Sequence, residues 1–205
     1  MTSGKKTSIT ILLPAGRLDT PLMKTIAALS DQYGFSQYLS TLQNLRLIDV
    51  PEEHVEDIKK EIAQYEVGFK GPGLFPIPRI CIGKPHCNLG VIDTEELSQE
   101  IITYFKNRKK TKAKLKIAIS GCILSCSGTR TSDIGIVANR KGYDVYAGGK
   151  GGPSPKVGIR IKRDIGEAEL LETIETIIEF HDQKTGKKQR LYKLISDETF
   201  PFQKI

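Results

Sequence analysis

The order of apolar and polar positions divides the chain into two runs of elements. Residues 8–13 (SITILL) are dense in aliphatic and β-branched side chains and predict a strand. After a turn-forming stretch, Thr20 and Pro21 supply the N-cap and first helical position of a helix. Its Leu22, Ile26 and Leu29 recur on one face until Gly34 ends it. Residues 36–41 and 44–49 predict two short strands, and Pro51 opens a helix with Val55, Ile58, Ile62 and Tyr65 on one face. Strand, helix, strand, strand, helix is the order of a ferredoxin-like half unit. Residues 68–78 (GFKGPGLFPIP) are rich in Gly and Pro and read as a linker, which divides the chain into domains at 1–70 and 71–205.

The second run begins with a helix capped by Thr94 and carrying Leu97, Ile101 and Phe105. In 114–120, strict alternation places Leu115, Ile117 and Ile119 on one face of a strand and Lys114 and Lys116 on the other, and because the strand leads straight into Cys122 both ammonium groups are expected close to the cysteines. Residues 133–138 and 143–148 predict a hairpin around Lys141-Gly142. Residues 157–162 predict a strand, 166–181 an amphipathic helix, and 187–195 a short basic helix. The Gly-rich stretch 148–152 reads as a flexible loop. It lacks the Gly-Lys-Ser/Thr ending of a P-loop, but consecutive glycines can aim backbone N–H groups at carboxylates. The class is α+β.

A chain of 205 residues is long enough to bury a core in one or two domains. Pro14 and Arg17 interrupt the first apolar run before an export core develops, and no run approaches a membrane span; a reducing cytoplasm is the expected setting. The net charge of +7 is unevenly spread: residues 1–70 hold 8 Lys+Arg against 9 Asp+Glu, and residues 71–205 hold 23 against 15. A positive field favours anions. The densest basic run, 106–116, has no interleaved aromatic for base stacking, which argues against nucleic acid. An anionic cofactor, an anionic substrate and an acidic electron donor fit better.

All four cysteines fall in 79–128, as Cys81-x5-Cys87 and Cys122-x3-Cys126. Four thiolates from two short loops suit a cubane 4Fe-4S cluster, whose irons each take one protein ligand. Positions 122 and 126 stand one helical turn apart, so a turn of helix would point both sulfurs from one face. Gly83 and Pro85 let the loop 81–87 fold back. Structural zinc favours gaps of two to four residues and fits the first pair poorly, and disulfides need an oxidising compartment. Of the three histidines, only His86 lies in a cysteine loop; His54 and His181 look incidental.

Cys-x5-Cys followed by Ser-Gly-Cys-x3-Cys resembles the signature of the sirohaem-containing nitrite and sulfite reductases. The likeness continues through Asp133-Ile134-Gly135, the Gly-rich stretch 148–152 and a late Gly186-x3-Arg190-Leu191. The resemblance implies a second domain that binds a 4Fe-4S cluster and sirohaem, with Cys126 the thiolate shared between the two. It implies that Lys114, Lys116 and Arg79 bind the substrate oxyanion and help deliver protons. Thr41, Gln43, Asn44, Arg130, Gly149, Lys150 and Gly151 would lie at the macrocycle. The family's Thr-x-Arg-Gln arginine is replaced by Leu42, with Arg46 a substitute on the same strand face as Asn44. The implied activity is reduction of sulfite to sulfide, with nitrite less favoured, using electrons from an acidic donor such as a ferredoxin. Larger relatives hold two such units, so this chain is expected to pair with itself or a sister subunit. The alternative is a non-catalytic cluster-bearing partner of an active subunit.

Overall fold

The computed structural model describes residues 4–65, 67–108, 110–112, 114–184 and 189–205. The chain divides into two compact units, 1–71 and 72–205. In the first, β1 (Lys6–Leu12), β2 (Ser36–Leu39), β3 (Leu45–Pro51) and β4 (Gly68–Phe69) form an antiparallel sheet in the order β2-β3-β1-β4. Helices α1 (Thr20–Tyr33) and α2 (Val55–Ala63) complete the ferredoxin-like half domain. Ile9 and Ile11 alternate inward from β1 and meet Leu22, Ile26 and Leu29 of α1 and Ile58 and Ile62 of α2 in one core. Asp49, at φ 63°, marks a bulge in β3 that lets Leu47 and Val50, three positions apart, both face that core.

Two starts differ from expectation by a few residues. Asp19, not Thr20, caps α1, its carboxylate accepting from the Leu22 amide at 2.8 Å, because a carboxylate one residue earlier reaches the free amides of the first turn. Pro51 ends β3, and a 3-10 turn at Glu52–His54 precedes α2. The Gly/Pro-rich stretch also begins as a strand, since β4 pairs with β1.

The second unit is a five-stranded sheet, β5 (Arg79–Ile80), β6 (Ile117–Ser120), β7 (Ile134–Asn139), β8 (Gly142–Ala147) and β9 (Ile159–Ile165), in that order. β5, β6 and β7 run parallel, and β7, β8 and β9 antiparallel. Helix α3 (Thr94–Phe105) lies against β5 and β6, and α4 (Glu167–Lys184) against β8. The expected alternating strand over 114–120 is shorter: Lys114 sits at φ 77°, the strand begins at Ile117, and all four of its residues are buried. β6 lies in the interior of the sheet between two parallel strands, and its residues are buried instead of alternating.

The stretch expected to be a flexible loop is anchored: Gly148 and Gly149 are buried, and Lys150 and Lys156 exchange backbone hydrogen bonds of 2.9 and 2.7 Å across its neck. Of the basic helix expected at 187–195, the described residues form a 3-10 turn at Leu191–Lys193. Gly186 and the first two positions of that helix lie outside the described residues. Among the described residues no helix is long and apolar enough to cross a membrane.

The C-terminal segment packs back on the unit through Phe200 against Phe180 and through the Ile205 amide on the Arg160 carbonyl. Lys184 and Thr199 hydrogen-bond Asp197 and hold its carboxylate at about 2, below its ordinary value of 3.8. A depressed folded value stabilises the fold above the ordinary carboxylate range, and that contribution disappears as pH falls through about 2. In urea titrations the native protein should therefore exceed Asp197→Asn in stability at pH about 6, with the gap closing toward pH about 2. A gap independent of pH would contradict this assignment.

Candidate metal centre

The two cysteine segments leave the sheet at one edge because their strands are parallel neighbours. Arg79 pairs with Ala118 and Ile80 with Ile119, and the Cys81 amide continues the ladder by donating to the Ile119 carbonyl at 3.1 Å. One residue past β6, the Gly121 amide donates to Cys81 Sγ at 3.1 Å. The loop between Cys81 and α3 is stitched to the same place: Lys84 amide to Ile92 carbonyl at 2.9 Å, Gly90 amide to Cys87 carbonyl at 3.0 Å, and Val91 amide to Gly121 carbonyl at 2.7 Å. Asp93, not Thr94, caps α3, accepting from the Glu95 and Glu96 amides. That leaves Thr94 Oγ1 to donate to the Cys81 carbonyl at 2.6 Å. A Cβ on Gly121 would stand 3.1 Å from Thr94 Cγ2 and 3.2 Å from Gly83 Cα, so glycine lets the loops meet this closely.

The second pair lies on consecutive turns instead of a helical one. Ser125 adopts φ 57°, its amide donates to the Cys122 carbonyl at 3.4 Å, and the Gly128 amide donates to the Ser125 carbonyl at 2.9 Å. The base of this loop is closed by Ser120 and Ser127, whose hydroxyls are 2.6 Å apart, and by the Ser125 and Thr129 hydroxyls. All four cysteines are free thiols; Cys126 is exposed and the other three half-buried. Among the described residues no three His, Cys, Asp or Glu side chains are grouped as ligands of a single metal ion. A cubane does not require such a group, because it places its four thiolates on four separate irons.

From this loop the chain crosses the face of the sheet to reach β7. Arg79, Ala118, Gly135 and Tyr146 form one row across β5 to β8, and 128–130 lie over it in step. Gly128 meets Arg79 Nη2, the Thr129 backbone fits against Gly135, and the Arg130 guanidinium lies 5.3 Å from the Tyr146 ring centroid. Arg79 is half-buried, and among the described residues its Nε has no hydrogen-bond partner. Burial holds its guanidinium below the ordinary arginine value. A desolvated cation with an unused donor, beside the cysteine turn, suits an anionic group.

Lys114 and Lys116 are placed differently from expectation. Both are exposed, but they precede β6 whereas Cys122 follows it. The four-residue strand between them is about 13 Å long at roughly 3.3 Å per residue. The lysines thus stand at the opposite end of the strand from the cysteines of their own chain. At the lysine end the Lys116 amide donates to Asp133 Oδ2 at 3.0 Å, and Arg190 Nε donates to Asp133 Oδ1 at 2.9 Å. Burial pushes the Asp133 carboxyl upward, against the opposing pull of Arg190 and the Lys116 amide. Arg130, Gly149 and Lys150 lie at this end too, whereas Gly151 is exposed beyond the neck.

Thr41, Gln43 and Asn44 occupy the tight β2–β3 connection of the first unit, with Gln43 at φ 61° and the Ser40 amide donating to the Asn44 carbonyl at 2.8 Å. Asn44 stands one residue before β3, and Arg46 is exposed on that strand. Leu42 is 38% exposed. The sequence reading missed Thr94, Asp133 and Arg190 as site-building residues. The last two belong to motifs noticed there without a role.

A family model described as nitrite and sulphite reductase 4Fe-4S domain matches residues 78–199, and one described as nitrite/sulfite reductase ferredoxin-like half domain matches residues 1–65. Over 185 residues, 89% of this chain, it is 25% identical to the nitrite reductase [NAD(P)H] large subunit of Klebsiella oxytoca, and spans 19% of that protein. It is 25% identical over 183 residues to the sulfite reductase, assimilatory-type, of Nitratidesulfovibrio vulgaris, covering 89% of this chain and 83% of that one. The NirA protein of Mycobacterium tuberculosis has a similar fold, with a TM-score of 0.77 and 17% identity over 93% of this chain and 38% of NirA. The chain spans about a fifth of the length of the first curated relatives it matches.

Proposed function

This chain belongs to the nitrite and sulphite reductase family, a family of oxidoreductases, and from that premise we propose that it is a single-unit sulfite reductase whose active sites are completed between two copies. Its cofactors are those of the family, a 4Fe-4S cluster and sirohaem. The residues fit both. Cys81, Cys87, Cys122 and Cys126 supply four thiols from two loops stitched together at one sheet edge. Cys126, the most exposed, is the thiolate available to a second centre. Arg79, whose Nε has no partner among the described residues, is suited to a macrocycle carboxylate or the substrate. When bound, these groups would supply the electron transfer. The chain's own residues position the oxyanion and supply protons as its oxygens leave as water, a task suited to Lys114 and Lys116.

The observation that carries the two-copy reading is the strand length between Lys116 and Cys122: one copy does not offer both ends of β6 to one small anion. An isologous pair would bring the basic end of one copy to the cysteine end of the other. The preference for sulfite rests on the assimilatory-type sulfite reductase, which this chain nearly matches in length. An acidic ferredoxin-like donor fits the positive excess of residues 71–205.

The test is complementation. Cys122→Ser lacks a cluster ligand, and Lys114→Ala/Lys116→Ala lacks the ammonium groups; neither homodimer should turn over sulfite. Co-expressed, half of randomly paired dimers are mixed and one of their two sites is intact, so turnover should return to about a quarter of the native value. No recovery, with mixed dimers verified by differential tags, would reject sharing between copies. Leu42, in place of the family arginine, supports a second reading as a cluster-bearing partner subunit without its own turnover. That reading predicts a brown protein inactive with sulfite and nitrite alike.

A further inference from the structure

Asp133 is a fully buried carboxylate, 0% exposed, whose atoms serve three segments distant in sequence. Oδ2 accepts from the Lys116 amide at 3.0 Å, Oδ1 from Arg190 Nε at 2.9 Å, and its carbonyl from the Gly148 amide at 2.8 Å. The next amide, of Ile134, donates to the Lys116 carbonyl at 3.0 Å, so both polar groups of the Lys116 backbone are held here. Arg190 Nη2 continues to the Gly149 carbonyl at 3.5 Å. Gly149 in turn packs so closely on 130–132 that a Cβ would come within 2.5 Å of the Arg130 and Ser132 carbonyls.

Stability alone does not account for this pair, since well-packed apolar residues often replace a buried ion pair at no cost. What the carboxylate adds is direction, with separate oxygens fixing separate partners. The cations carried by the fixed segments stand outward. Lys116 is exposed, Arg130 rests on Tyr146, and Lys150 Nζ lies 5.2 Å from the centroid of Tyr192.

We propose that Asp133 is the positioning residue of the anion site, setting Lys116, Arg130 and Lys150 in one register before substrate arrives. The proposal rests on reading the chain as an oxyanion reductase. Preplaced cations spare the ordering of long side chains on binding, so loosening them weakens ground-state and transition-state binding alike, and KM carries the change.

The test uses anaerobically purified holoprotein. Asp133→Leu/Arg190→Met replaces the pair by apolar residues, and Asp133→Asn keeps an acceptor for the Lys116 amide should the double variant not fold. With iron content unchanged, the double variant should raise the sulfite KM about tenfold and alter kcat less than about threefold. Amide exchange in 114–117 and 147–150 should quicken by about tenfold, with the segment 81–92 unaffected. Asp133→Asn should move KM and exchange in the same direction by less. Native KM and exchange in the variants would overturn the proposal, as would faster exchange with an unchanged KM, which marks a purely structural pair. A native protein that neither binds nor reduces sulfite fails at the earlier reading, and the proposal falls with it.

Discussion

Cys122→Ser is expected to purify without the broad brown absorption of an iron–sulfur protein, with iron and inorganic sulfide near background and sulfite turnover lost. The physical reason is the proton. A cysteine thiol ionises near 8.5 and lower beside a metal, whereas a serine hydroxyl holds its proton far more tightly and makes a poor ligand for iron. Cys122 stands where the two loops join, one residue after the Gly121 amide that donates to Cys81 Sγ. Losing it leaves a cubane with an open corner at an exposed edge. Ser127→Ala is the matched control: it removes the hydrogen bond to Ser120 in the same loop and touches no sulfur, so it should retain its iron. A native protein that is colourless and carries zinc in stoichiometric amount would remove the cluster assignment itself.

The parts legible in the sequence were those whose signal is local. Ile9 and Ile11 in β1, and Leu22, Ile26 and Leu29 in α1, are spaced by the periods of a strand and a helix, and each lies in the core those periods imply. The four cysteines were legible because reactive side chains clustered in one quarter of a chain are conspicuous. Whatever depends on which strand lies beside which was not legible. β6 lies in the sheet's interior between β5 and β7 and is buried along its whole length, and nothing within 114–120 announces its neighbours. The same ignorance of direction put the lysines beside the cysteines, although they occupy opposite ends of one strand. Thr94 was read as a cap because threonine caps helices; Asp93 does so, and the hydroxyl holds the Cys81 carbonyl. Asp133 and Arg190 lie far apart in sequence, and only the folded chain makes them partners.

Gly135→Ala should be among the most damaging single-atom-scale changes in this chain. Gly135 is the second residue of β7, in the row where the crossover from the cysteine turn lies on the sheet. A Cβ there would fall 2.1 Å from the Thr129 carbonyl oxygen and 2.6 Å from its carbon. Both are backbone atoms, so no rotamer change relieves the clash; the crossover must lift or β7 must shift. Overpacking a core by one methyl costs typically 1–3 kcal/mol, and backbone on both sides of the contact puts this site at about 3 kcal/mol or more. For a chain of this size that is a fall in Tm of roughly 6–12 °C. Lifting Thr129 would also draw Gly128 from Arg79 and Arg130 from Tyr146, so cluster loss on dilution into chelator should quicken in the variant. Gly151→Ala sets the baseline, because a Cβ there meets nothing within 4 Å, and its stability should stay within about 0.5 kcal/mol of native. Equal melting temperatures for the two variants would mean that the crossover does not rest on β7, and the row of Arg79, Ala118, Gly135 and Tyr146 would lose its role as the floor of the site.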